Sequence, residues 1–162
     1  MCNKSMLNHH QRGVSLVVTF LIMTIMLSIV LSVSIILVSQ IKVIRNIGSS
    51  VSAFYAAETG NEKTLYFDRK QVPPGGNRGL CNLCNACTSD DCMGCTAVPT
   101  GPHGCDTDSC LNCRVIYVSV FDGRSYLVDA NVEVKSGSNV FTVNSRGLYK
   151  DTARALEISS SD

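Results

Sequence analysis

The chain has 162 residues, of which 45% are hydrophobic, 17% charged and 6% aromatic, with a formal net charge of +1. That near balance excludes the basic footprint of a nucleic-acid binder. No Ser/His/Asp set, Gly-rich phosphate loop or paired-carboxylate site is present, so neither an enzymatic activity nor a cofactor is expected.

Residues 1–13, MCNKSMLNHHQRG, are polar and basic, with no acidic side chain. Residues 14–41, VSLVVTFLIMTIMLSIVLSVSIILVSQI, carry no charge at all. This run exceeds the roughly 20 residues needed to cross a lipid bilayer. It is also longer than the apolar core of a secretory signal, about 7–15 residues, and it lacks a small-residue cleavage site at its end. The run therefore predicts a transmembrane helix, with its basic N-terminal flank favouring the cytoplasmic side. Thr24, Ser28 and Ser32 recur at every fourth position, one helix stripe. Small hydroxyl residues let membrane helices approach closely; alternatively each hydroxyl bonds its own backbone one turn back.

Helical periodicity continues through residues 42–72, with apolar positions at Ile44, Ile47, Val51, Phe54, Tyr55, Leu65 and Tyr66, until Pro73-Pro74-Gly75-Gly76 stops it. The expectation is one helix from Val14 to about Arg69, with Phe54 and Tyr55 beneath a small sheet.

The junction QRGVSLVVTFLIM, together with the later AFYAAETG (residues 53–60), resembles the N-terminal region of type IV prepilins, especially PilX-type minor pilins and GspK-type pseudopilins. The resemblance implies that a prepilin peptidase cuts after Gly13, so that the mature chain begins at Val14 and keeps its anchor. It also implies other pilin subunits, the inner-membrane assembly machinery and the lipid bilayer as partners. Major pilins carry a glutamate five residues into the mature chain, where this sequence has Val18. That departure resembles minor members placed at or near a filament tip.

Residues 73–113 hold eight cysteines: Cys81, Cys84, Cys87, Cys92, Cys95, Cys105, Cys110 and Cys113; a ninth, Cys2, lies in the leader. The segment is rich in Gly, Asp, Asn, Ser and Thr and reads as an ordered loop. Two chemistries fit its CxxC spacings. Zinc or iron–sulfur ligation uses such pairs. Outside the cytoplasm the same thiols form up to four disulfides. A segment following an anchor whose N-terminus lies inside is outside, which favours disulfides without fixing their connectivity. Asp90-Asp91 and the Asp106 and Asp108 pair read as turn caps rather than a calcium loop, and His103 as a solvated loop residue.

Residues 114–162 read as antiparallel sheet. RVIYVSVF has strong strand propensity, and Asp122-Gly123 is a two-residue hairpin turn. In SYLVDANVEV, Tyr126, Val128, Ala130, Val132 and Val134 alternate with polar residues. A turn over residues 136–139 leads to the strand VFTVNS, which Arg146-Gly147 is expected to break; a last strand is expected within 152–158. The predicted class is α+β: a long N-terminal transmembrane helix continuing into a small head of antiparallel sheet packed on it, with a cysteine-rich loop. The expected function is a minor pilin or pseudopilin of a type IV pilus or type II secretion-like filament. The alternative is an uncleaved single-pass anchor carrying a cysteine-rich binding module.

Overall fold

The computed structural model describes residues 9–88 and 90–161, with side chains from residue 14 onward. Most of the expected leader, residues 1–8, lies outside the described residues. The chain divides into two compact units at Arg45 and Asn46, and helix α1, His9–Lys70, contributes to both. Residues 9–13 are already helical, so the expected start at Val14 falls inside the helix.

In the first unit every large apolar side chain between residues 14 and 41 is at least 49% exposed. The helix has an 18-residue window of mean hydropathy 2.8, none of it buried within the chain. By length and composition it can cross a membrane.

The second unit is an antiparallel meander packed on the C-terminal part of α1. Strands β1 (Met93–Pro99), β2 (Cys113–Phe121), β3 (Arg124–Lys135), β4 (Ser138–Tyr149) and β5 (Thr152–Ser161) follow one another in space as in sequence. The turns show why. Asp122 and Gly123 both take positive φ (48° and 70°), as do Ser136 and Gly137 (52° and 84°), the geometry of tight hairpins between right-twisted strands. The register then places Tyr117 opposite Val128 and Ala130 opposite Val143, all on the face toward the helix.

Four expectations are corrected. The cysteine segment is not wholly loop: it contains a 3₁₀ turn (Leu80–Asn82), a short helix α2 (Leu83–Ala86) and strand β1, so the sheet has five strands. β4 does not break at Arg146-Gly147 but runs on to Tyr149. At Gly147 the sheet lies tight against the helix: a Cβ there would collide with the carbonyl oxygen of Ala53 and approach Ala56 Cβ to 3.0 Å. Val134 does not join its alternating partners in the core but is exposed at the end of β3.

The fourth correction concerns the helix. Phe54 and Tyr55 do not lie under the sheet; they are 42% and 58% exposed. The buried residues of α1 are Ala53, Ala56, Ala57, Gly60, Asn61, Thr64 and Asp68. Their three- and four-residue spacing makes one face, and small side chains let the backbone approach the strands. Gly60 sits against Ser145 Oγ, Tyr126 and Val128, where no larger residue fits.

Candidate functional site

No group of three or more side chains that could hold a metal ion occurs among the described residues. The candidate functional regions are the exposed apolar helix and the stapled head.

The eight expected cysteines pair as Cys81–Cys110, Cys84–Cys95, Cys87–Cys92 and Cys105–Cys113. Their Cα separations of 5.5, 5.4, 5.9 and 4.8 Å lie within the range a disulfide spans. Each bridge has a distinct mechanical role. Cys81–Cys110 closes the outer loop, and both partners are buried with Leu80, Leu83 and Val115. Cys84–Cys95 ties α2 to β1, Cys87–Cys92 closes a tight loop between them, and Cys105–Cys113 fastens the following loop to the start of β2. The reading of these residues as disulfide candidates thus matches the geometry. The pairing itself was not legible, because 105 connectivities are possible for eight cysteines.

The loop is also tied to α1. Lys63 Nζ donates to the Asp91 carbonyl oxygen at 2.9 Å and lies 3.9 Å from its carboxylate. Partial burial pushes the Lys63 pKa down, and the nearby Asp91 charge opposes that shift. Arg78, beyond the end of α1, pairs with the buried Asp68 at 3.1 Å and stacks over the Phe141 ring at 5.3 Å. Inside the interface Tyr117 Oη and Thr64 Oγ1 share a hydrogen bond of 2.9 Å. Burial raises the Tyr117 phenol well above its usual range, with the Thr64 bond opposing; burial raises Tyr126 as well, opposed by its bond with Ser119.

Two of the three stripe hydroxyls are satisfied within their own helix. Thr24 Oγ1 donates to the Leu21 carbonyl and Ser32 Oγ to that of Ser28, both at 2.8 Å. Thr19 and Ser34 do the same one turn back. Ser28 lies on the same stripe as Thr24 and Ser32. The Thr24 and Ser32 hydroxyls are thus small and present no unpaired donor, which suits close helix approach. Gly13 and Val14 are both within helix α1.

The two faces of the sheet differ in chemistry. Opposite the helix, a shallow hollow of about 410 Å³ is lined by Arg114, Asp129, Asn131, Glu133 and Thr142, among others. Arg114 donates twice to the Asp129 carboxylate, at 2.8 and 2.6 Å. Lys135, first, and Asn131 hold the Glu133 carboxyl below its usual range. These charges are paired with one another. On the helix side, a second hollow of about 350 Å³ opens between α1 and edge strand β5, lined by Ser50, Val51, Phe54, Tyr55 and Arg154. Sequence reasoning missed this flank because it expected Phe54 and Tyr55 to be covered. The signal available was the alanine and glycine spacing of residues 53, 56, 57 and 60, which marks the closer-packing face.

No family model, curated protein or solved structure matches this chain.

Proposed function

We propose that this chain is a structural subunit of a type IV pilus-like or type II secretion-like filament, of the minor pilin or pseudopilin kind. In this reading a prepilin peptidase removes the leader after Gly13, and the chain stays anchored by residues 14–41 until it enters the filament at or near the tip. The head then faces outward, where an oxidising compartment keeps its disulfides closed.

The observation that carries the reading is the coupling of two features on one helix. Its first part exposes every large apolar side chain, and its second part buries one face under a disulfide-stapled antiparallel sheet. Exposed apolar surface on that scale requires lipid or other apolar helices as cover. The prepilin-like junction QRGVSLVVTFLIM supports the same reading.

The test is the intact, non-reduced mass of the protein from membrane and sheared-surface fractions of its native cells. The expected mass begins at Val14 and lacks about eight hydrogens, two per disulfide. A chain beginning at Met1 in surface material would leave instead an uncleaved anchor displaying a cysteine-rich binding head.

A further inference from the structure

The sheet has two edges, and they are built differently. β1 carries devices that keep an edge strand from pairing with another chain. Gly94 takes a positive φ of 62°, the register shifts between Met93 and Thr96, Pro99 ends the strand, and Cys95 is tied back to Cys84. β5 has none of these. It pairs with β4 in unbroken register from Thr152 to Ser161, and its ten residues include no proline, glycine or lysine. Among the described residues no strand lies on its other side.

Parity gives the chemistry of this edge. Tyr149 and Thr152 flank a two-residue turn, so they form a hydrogen-bonded pair, and such pairs recur at every second residue. Arg154, Leu156 and Ile158 therefore bond to β4, whereas Ala153, Ala155, Glu157 and Ser159 turn their N–H and C=O groups outward. Side chains alternate as well. Those of the outward-bonding residues stand exposed on the face away from the helix, and all but Glu157 are small. Arg154, Leu156 and Ile158 stand opposite Gly147, Ser145 and Val143, on the helix side. Arg154 is the one charge among them, and it does not block the edge: its Nε donates to Ser50 Oγ at 2.7 Å, which holds it against α1. There it forms one wall of the hollow of about 350 Å³, with Val51, Phe54 and Tyr55. A strand added about 4.8 Å beyond β5 would set the side chain opposite Arg154 over this hollow.

We propose that β5 is a strand-addition site that takes an extended segment of another protein, antiparallel to it as every pairing in this sheet is. The outward backbone groups supply affinity, and the side chains on the two faces supply selection. The segment alternates. A large apolar residue enters the hollow beside Arg154, and aliphatic residues meet Leu156 and the 37% exposed Ile158. On the opposite face a lysine or arginine meets the exposed Glu157. A second copy of this chain is the poorer occupant. The antiparallel register that engages the whole of β5 sets Glu157 opposite Glu157, a destabilising pair, and β1 is protected. The site does not rest on the filament reading; it equips a tip subunit and an anchored binding module alike.

The test uses the full chain in detergent micelles, with a synthetic peptide as the probe. The peptide alternates threonine and valine, with lysine replacing the central threonine and phenylalanine replacing the valine three positions after it. In antiparallel pairing these two meet Glu157 and Arg154. Amide exchange is followed residue by residue along β5 as the peptide is raised to millimolar concentration. Exchange at Ala153, Ala155, Glu157 and Ser159 is expected to slow by about tenfold or more, while Arg154, Leu156 and Ile158, already bonded to β4, change little. Ala155→Pro removes one outward N–H and is expected to abolish this protection. Glu157→Lys leaves the backbone intact and is expected to weaken the peptide by about threefold, the scale of an exposed ion pair, with glutamate in place of the peptide's lysine restoring it. Protection that ignores the odd and even positions, that falls on another strand, or that is absent at millimolar peptide overturns the proposal, as does an affinity indifferent to charge reversal. Protection of the outward amides by raising the protein concentration alone gives the edge to a second copy and overturns it equally.

Discussion

Two stretches of one helix treat apolar side chains in opposite ways. Over residues 14–41 α1 exposes large aliphatic residues on every side, and in the head it buries alanine, glycine and threonine while leaving Val51, Phe54 and Tyr55 outside. The first stretch needs an apolar surrounding, and its specificity is low because lipid and helix suit it equally. The second needs a particular surface, because the backbones of Ala53 and Ala57 lie against Gly147 of β4, and Gly60 lies against Ser145, Tyr126 and Val128, with no room for a Cβ at either glycine. Hydrophobicity therefore marks where this helix meets a medium, and smallness marks where it meets its own sheet.

The comparison can be broken first at the staples. Replacing Cys81 and Cys110 together by alanine removes the longest closed loop, with a sequence separation of 29. The chain-entropy relation gives a loss of about 3.6 kcal/mol, against about 2 kcal/mol for the short Cys87–Cys92 loop. Thermal unfolding of the two variants in detergent should show that order. Gly147→Val comes next. Its side chain would enter the space of Ala53 and Ala56, and overpacking of this kind costs about 1–3 kcal/mol. Tyr117→Phe is smaller, about 1 kcal/mol for one buried hydrogen bond lost to Thr64.

The same residue sharpens the comparison through pH. Burial holds the folded Tyr117 pKa above its unfolded value. Below pH 10 the phenol is neutral in both states and no penalty exists. Above it the unfolded chain ionises while the folded chain keeps its proton, so stability falls as pH rises, by up to about 1.4 kcal/mol per unit for this one group. Denaturation midpoints between pH 9 and 11 should fall less steeply in Tyr117→Phe. The smallest effect is expected at Phe54→Asp, which should move head stability by about 0.5 kcal/mol or less, because the side chain is exposed. A large destabilisation there would show that the outward face belongs to the head's own core.

The elements with local chemical punctuation were legible in the sequence. Asp122-Gly123 and Ser136-Gly137 each tolerate two consecutive positive φ angles, so the β2–β3 and β3–β4 hairpins could be placed. The alternation from Tyr126 to Val132 gave the core face of β3 directly. Strand β1 was hidden because MGCTAVP combines glycine, proline and a half-cystine and has no alternating pattern; it is an edge strand pairing only with β2, with a register shift between Met93 and Thr96. Gly147 suggested a break because glycine usually ends strands, whereas here it admits a helix. The burial of Ala53, Ala56 and Ala57 was misread because periodicity locates an apolar stripe without telling whether size or smallness is being selected.

The meander has a kinetic consequence. Every strand pairs only with its neighbours in sequence, so the sheet can zip from hairpin to hairpin with short loop closures. The slow searches are those that bring the sheet to the helix: Tyr117 to Thr64, and Arg154 on the last strand to Ser50, a separation of 104 residues bridged by a hydrogen bond of 2.7 Å. The helix is made first and waits exposed while the strands that cover it are still being synthesised. Folding of the head is thus a race between zipping of the meander and capture of the bare alanine face by something else, and it is finished only when the C-terminal strand arrives.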